Sequence, residues 1–160
     1  MSKNAPESAL PVVENARVGI VTAQWNGRIT SALRDSAIET LRSAGLSPVD
    51  IDTFDVPGAI ELTFGASALI EASLYDAVIV FGCVVRGDTP HFDYVCQSVT
   101  QGVTALNADC DTPVIFGVLT VENDQQAIDR IKGGCVGDKG AEAAQAALHM
   151  IAFKRSVQEL

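Results

Sequence analysis

Residues 77–85 read Ala-Val-Ile-Val-Phe-Gly-Cys-Val-Val, with no charged side chain among them. So apolar and β-branched a run, too short to cross a bilayer, reads as a buried strand. It ends in a polar corner, Arg86-Gly87-Asp88-Thr89, and Pro90 then opens an amphipathic stretch with Phe92, Val95, Cys96, Val99 and Val103 on one stripe. Proline suits a first helical position because its missing N–H would have had no partner there, and Thr89 before it can cap the free amides of the first turn. The pattern therefore places His91 in the first turn of a helix that follows a strand. Such a turn presents unpaired N–H groups and a partial positive charge, a natural seat for phosphate or another anion. An imidazole beside that seat points to acid–base chemistry on a phosphorylated substrate.

The same alternation runs through the rest of the chain. Residues 17–23 read as a strand, followed by the turn Gln24-Trp25-Asn26-Gly27, which holds the sole tryptophan. Ile29, Leu33, Ala37 and Leu41 recur at helical spacing, with Gly45 as the expected C-cap. A second strand is expected over 49–56, ending at Pro57-Gly58, and a helix over 59–73. Pro113 introduces a strand over 114–119, and Asn123 with Gln126 has the spacing of a capping box for a helix reaching Arg130. The link from Gly133 to Gly137 lacks the Gly-Lys-Ser/Thr ending of a nucleotide loop and reads as a connector. An alanine-rich helix over 141–153 follows. Phe54, Phe64, Phe81 and Phe92 are expected in the core, and His149 on a solvated helix face.

Four strand–helix alternations predict a parallel sheet with helices on both faces, in which ligands bind at the carboxyl ends of strands. Trp25-Asn26, Pro57-Gly58, Arg86 to His91 and Thr120 to Asn123 all fall at such ends. A sheet of this size has exposed edges, so pairing with a neighbouring chain is expected. The net charge of −9 argues against nucleic acid or an anionic membrane surface as partner. Arg86 is the only Lys or Arg between Arg42 and Arg130. It is either an anion ligand or a solvated loop charge, and composition does not choose. Four cysteines without Cys-x-x-Cys spacing indicate reduced thiols rather than zinc or disulfides, and His91 with Asp93 lacks a third metal ligand. With no leader before the first strand, a cytoplasmic location is expected. Residues 1–16 read as a flexible N-terminal arm and residues 17–160 as a single domain.

These residues also carry a family resemblance. Trp25-Asn26 with Ile29-Thr30, VPGAIEL (56–62), YDAVIVFGCVVRGDTPHFDYV (75–95), PVIFGVLT (113–120), QAIDR (126–130) and GDKGAEAA (137–144) resemble, in order, the blocks of the lumazine synthase family. The resemblance covers about Arg17 to Phe153. It implies a three-layer α/β/α sandwich with a four-stranded parallel, flavodoxin-like sheet. It also implies condensation of 5-amino-6-(D-ribitylamino)uracil with 3,4-dihydroxy-2-butanone 4-phosphate, without metal or cofactor. Trp25 would stack on the pyrimidine, beside Asn26. Gly58, Ala59 and Glu61 would bind the ribityl chain, and backbone groups of Val84 and Val85 would read the pyrimidine. Gly87, Asp88 and Thr89, together with Arg86 and Arg130, would surround the phosphate. His91 would transfer protons, Lys139 would lie near the pyrimidine, Glu142 would support Arg130 by pairing with it, and Phe116 would close the pocket from an adjacent subunit. Homopentamers are implied, with a 60-subunit shell and an enclosed riboflavin synthase as further options.

Two departures stand out. Asp138 occupies a position where Asn is common, placing a negative charge beside Lys139, and the link from Arg130 to Lys139 is slightly longer than in many shell-forming members. A flavin-binding or shell-forming homologue without turnover is the alternative reading. A generic flavodoxin-like binding module is a third, opposed by the number of matching blocks.

Overall fold

The apolar run forms β3 (Ala77–Val85), which lies inside a sheet between β1 (Val18–Ala23) and β4 (Val114–Val121), parallel to both. β2 (Ile51–Val56) pairs in parallel with the other side of β1, so the order is β2-β1-β3-β4. The computed structural model describes residues 9–160. Helices α1 (Gly27–Ser43), α2 (Leu62–Glu71), α3 (His91–Asp109), α4 (Asp124–Ile128) and α5 (Lys139–Gln158) complete the fold. No helix among the described residues is long and apolar enough to cross a membrane.

Strand side chains alternate between faces, and the core divides accordingly. Val18, Ile20, Ile79 and Phe81 pack with Leu33, Ala37 and Leu41 of α1 and with Ala144, Ala147, Leu148 and Ile151 of α5. On the opposite face, Val21, Val78 and Val80 pack with Leu62, Ala66 and Leu69 of α2 and Val99 and Val103 of α3. The result is the expected three-layer α/β/α sandwich around a four-stranded parallel, flavodoxin-like sheet. Each large apolar side chain fully buried in these layers contributes about 1.5–3 kcal/mol.

Several element ends differ from expectation. A short 3-10 turn over Pro48–Asp50 delays β2 to Ile51, and α2 starts at Leu62 because residues 57–61 remain in turns. Pro90 is the N-cap of α3 rather than its first residue, while Thr89 Oγ1 accepts the His91 amide at 3.4 Å. Asn123 Oδ1 caps α4 by accepting from the Gln126 amide at 3.0 Å, and Gln126 Oε1 accepts from the Glu122 amide at 2.9 Å. The α4 helix itself stops at Ile128, short of Arg130.

Two of the four phenylalanines expected in the core lie outside it: Phe64 is 79% exposed and Phe54 43% exposed. Leu62, Ala66 and Leu69 set the inward stripe of α2, which turns Phe64 outward, and Phe54 belongs to an edge strand. Phe81 is wholly buried, Phe92 is half-buried, and His149 is half-buried on α5. Of the segment 1–16, residues 1–8 lie outside the described residues. Val13 and Ala16 join the core, and the Glu14 carbonyl accepts from Arg155 Nη1 at 2.8 Å.

The α1 and α5 backbones meet at Gly140. A Cβ there would stand 2.2 Å from the Leu33 carbonyl oxygen, whereas one on Gly27 would meet nothing within 4 Å. Gly140→Ala is therefore expected to destabilise the fold by about 1–3 kcal/mol or more through forced separation of the helices. Gly27→Ala should instead leave stability unchanged or raise it by about 0.4–1 kcal/mol. Urea unfolding of the two variants checks both, and equal midpoints would remove the close-approach argument.

Candidate active site

Since β1 is flanked by β2 and β3, the crossover through α1 runs over one face of the sheet and that through α2 over the other. Such a reversal opens a crevice at the strands' carboxyl ends. A cleft of about 450 Å³ occupies it. Trp25 and Asn26 contribute from the end of β1, and Gly58, Ala59, Ile60 and Glu61 from the turns after β2. Cys83, Val84 and Val85 supply the end of β3, and His91 and Val95 the start of α3.

Backbone bonds hold the tryptophan turn to the end of β2, and a side-chain bond ties it to β3. The Gln24 amide donates to the Val56 carbonyl at 2.8 Å and the Trp25 amide to the Pro57 carbonyl at 3.2 Å. Asn26 takes the left-handed conformation (φ 56°), which Asn tolerates better than most residues, and its Nδ2 donates to the Cys83 carbonyl at 2.8 Å. Its own carbonyl accepts from the Ile29 and Thr30 amides, opening α1. Trp25 is thus 74% exposed on an anchored turn, an available aromatic face rather than a core residue. A Cβ on Gly58 would lie 3.1 Å from Glu61 Oε2 and 3.6 Å from Trp25 Cδ1, so this glycine lets carboxylate and ring share one wall of the cleft. Burial, with the charge of Asp124 adding to it, pushes the Cys83 thiol up to about 11. Cys83 is therefore a neutral floor residue, not a nucleophile.

Gly87, Asp88 and Thr89 form an exposed corner between Val85 and His91, and His91 itself is exposed. The Arg86 side chain turns towards carboxylates: Nε lies 2.7 Å from Glu122 Oε2 and Nη1 3.3 Å from Asp93 Oδ1. The guanidinium also lies 4.2 Å from the centre of the Phe92 ring. Desolvation opposes its charge, but Glu122 and Asp93 outweigh that and hold its pKa above the ordinary value.

The corner Arg86 to Thr89 borders this cleft in sequence without lining it, and Phe116, Arg130, Lys139 and Glu142 do not line it either. Phe116 sits opposite Val80 and packs, half-buried, against the core on the α2 side. Arg130 Nη1 donates to the Gln126 carbonyl at 2.7 Å. Lys139 is only 3% exposed, and its Nζ contacts both carboxylate oxygens of Glu142 at 2.7 Å. The expected pairing of Glu142 with Arg130 is corrected accordingly. Since α5 begins at Lys139, residues 139 and 142 share a helix face. Asp138 makes that early start possible, because its carboxylate accepts from the Gly140 and Ala141 amides, each at 3.1 Å, and from the Ser36 hydroxyl. Its charge thus serves the helix N-terminus. Sequence reasoning did not mark Ile60, Cys83 and Val95 as cleft residues, nor the tie of Asn26 to Cys83; an Asn-Gly pair at a turn was the one local signal for the latter.

The sequence profile of the family described as 6,7-dimethyl-8-ribityllumazine synthase matches residues 15–155. A protein of that name from Phocaeicola vulgatus is 49% identical over 152 residues, covering 95% of this chain and 90% of the relative. Another from Parabacteroides distasonis is 52% identical over 146 residues, with 91% of each chain covered. A third, from Bacteroides fragilis, is 50% identical over 143 residues, covering 89% of this chain and 99% of the relative. The match takes in the cleft-forming turns together with the α4–α5 segment, and the chain belongs to the 6,7-dimethyl-8-ribityllumazine synthase family.

Proposed function

We propose that the cleft binds 5-amino-6-(D-ribitylamino)uracil and condenses it with 3,4-dihydroxy-2-butanone 4-phosphate, releasing phosphate and water. Family membership makes the chain a transferase of riboflavin biosynthesis. The observation that carries the site reading is the anchored, exposed Trp25 ring in the same cleft as the end of β3 and His91.

The indole offers a flat apolar face for the pyrimidine, and backbone groups of Val84 and Val85 supply directional hydrogen bonds beside it. Gly58, Ala59 and Glu61 face the ribityl hydroxyls, with the Glu61 carboxylate as acceptor. The amides of Gly87, Asp88 and Thr89, at the N-terminal end of α3, suit the phosphate. An amine of the uracil attacks the ketone, and loss of water gives an imine. Elimination then breaks the C–O bond to phosphate, and the ribityl-bearing amine closes the ring on the remaining carbonyl with loss of a second water. The His91 imidazole takes and returns protons in these steps, while holding both substrates in one cleft supplies effective molarity.

Arg130 and Phe116 enter this reading through assembly. They lie outside the chain's own cleft, so an adjacent copy in a homopentamer supplies them, Arg130 to the phosphate and Phe116 as a lid. Exposed Phe64, Tyr94 and Ile60 are apolar surface that such a neighbour would cover. Pentamers of this kind can close into a 60-subunit shell around a riboflavin synthase.

Three outcomes are expected. Because Trp25 is the sole tryptophan, a pyrimidine ligand should quench the protein's intrinsic fluorescence on titration; an unchanged signal at saturation would place the ring outside the site. His91→Ala should lower kcat about 10²-fold without abolishing turnover, the low end for a positioned acid–base group. Full turnover would remove that role. Arg130→Ala should raise KM for the butanone phosphate about tenfold or more, the worth of one charge-assisted hydrogen bond. Steady-state assays following lumazine and phosphate together check both variants, and a light-scattering mass of one chain would overturn the assembly.

A further inference from the structure

We propose that Arg86 is a positioning residue, which ties the first turn of α3, and with it His91, to the turn between β4 and α4. The inference rests on the acid–base role given to His91 above.

The Arg86 guanidinium reaches in two directions. Its Nε contacts Glu122 Oε2 at 2.7 Å, on the turn that follows β4. Its Nη1 contacts Asp93 Oδ1 at 3.3 Å, and the group lies 4.2 Å from the centre of the Phe92 ring. Asp93 and Phe92 are the two residues directly after His91 in α3. The Arg86 amide donates to the Val121 carbonyl at 2.9 Å, so its backbone is fixed to the end of β4 as well. Glu122 is held in turn, because its amide donates to Gln126 Oε1 at 2.9 Å within the α4 cap. Through side chain and backbone, one residue thus joins the end of β4, the turn after it and the first turn of α3.

This arrangement separates the two readings that composition left open. A phosphate ligand needs surplus positive charge, whereas the Arg86 charge already faces two carboxylates that would repel an incoming anion. A solvated loop charge would not be stacked on a ring and paired on both sides. An isolated exposed ion pair stabilises little, but here several contacts share the ordering cost of one guanidinium. The geometry also requires arginine. A planar fork can span two carboxylates while stacking on an aromatic face, and a lysine ammonium cannot.

The test compares Arg86→Gln, Arg86→Lys and Glu122→Gln in the full-length assembled protein, by amide hydrogen exchange and by steady-state kinetics. Exchange over residues 91–95 should rise about two- to fivefold in Arg86→Gln and Glu122→Gln, the range expected for losing a partly exposed network. Exchange in β3 should not change. Turnover should fall with KM for the butanone phosphate within about twofold of the parent, an Arg86→Gln/Glu122→Gln double variant should be no worse than Arg86→Gln, and lysine should restore little. A rise in that KM with kcat retained, restored by lysine, would make Arg86 a phosphate ligand and overturn the proposal. Unchanged exchange at residues 91–95 would overturn it too, whatever the kinetics. If the parent protein formed no lumazine, the proposed reaction would fail, yet the exchange comparison would still decide whether Arg86 holds the turn.

Discussion

The side chains of β3 from Ala77 to Phe81 are sealed from solvent. A strand this apolar is accommodated only with strands at both edges and helices over both faces. β1 and β4 supply the edges, α1 and α5 one cover, and α2 and α3 the other. Fit is as demanding as hydrophobicity here. A Cβ on Gly117 of β4 would stand 2.5 Å from the Phe81 ring, so the bulk of Phe81 is accepted because its neighbour in the sheet has no side chain. Packing at that density leaves the strand little freedom, and its last residues, Cys83 to Val85, form a firm floor where they emerge.

The cleft forms because the chain reverses direction across the sheet at β1. Its walls are turns, which would ordinarily be mobile, yet the tryptophan turn is bonded to Val56, Pro57 and Cys83. A preorganised aromatic face loses little freedom when a ligand stacks on it. The histidine corner is built on the same plan by a different means. It has an ion-paired guanidinium where the tryptophan turn has backbone and carboxamide hydrogen bonds.

Much of this was legible in the sequence, for reasons of period and spacing. A continuous apolar run identified β3 and recurrence at helical spacing the inward face of α1, and the alternation of elements placed the ligand site at the carboxyl ends. What escaped depends on partners remote in the chain. Glu122 lies 36 residues from Arg86, and no local pattern links them. Asp138 capped α5 two residues before the expected start, which turned Glu142 towards Lys139 rather than Arg130. Phe64 shows that residue type does not decide which face of a helix is covered; the stripe of Leu62, Ala66 and Leu69 did. Roles for Phe116, Arg130 and Lys139 came from family resemblance, since nothing within a single chain brings them to the cleft.

The contact of Gly140 with the Leu33 backbone bears on how a chain like this can vary over generations. Lys139 is the adjacent residue, so its Cα is set by a junction that tolerates no added carbon. Substitution can change which side chain stands at 139, and hence its charge, length or polarity, but cannot easily move the point from which it projects. Variation at this position therefore acts by exchanging chemistry at a stationary address.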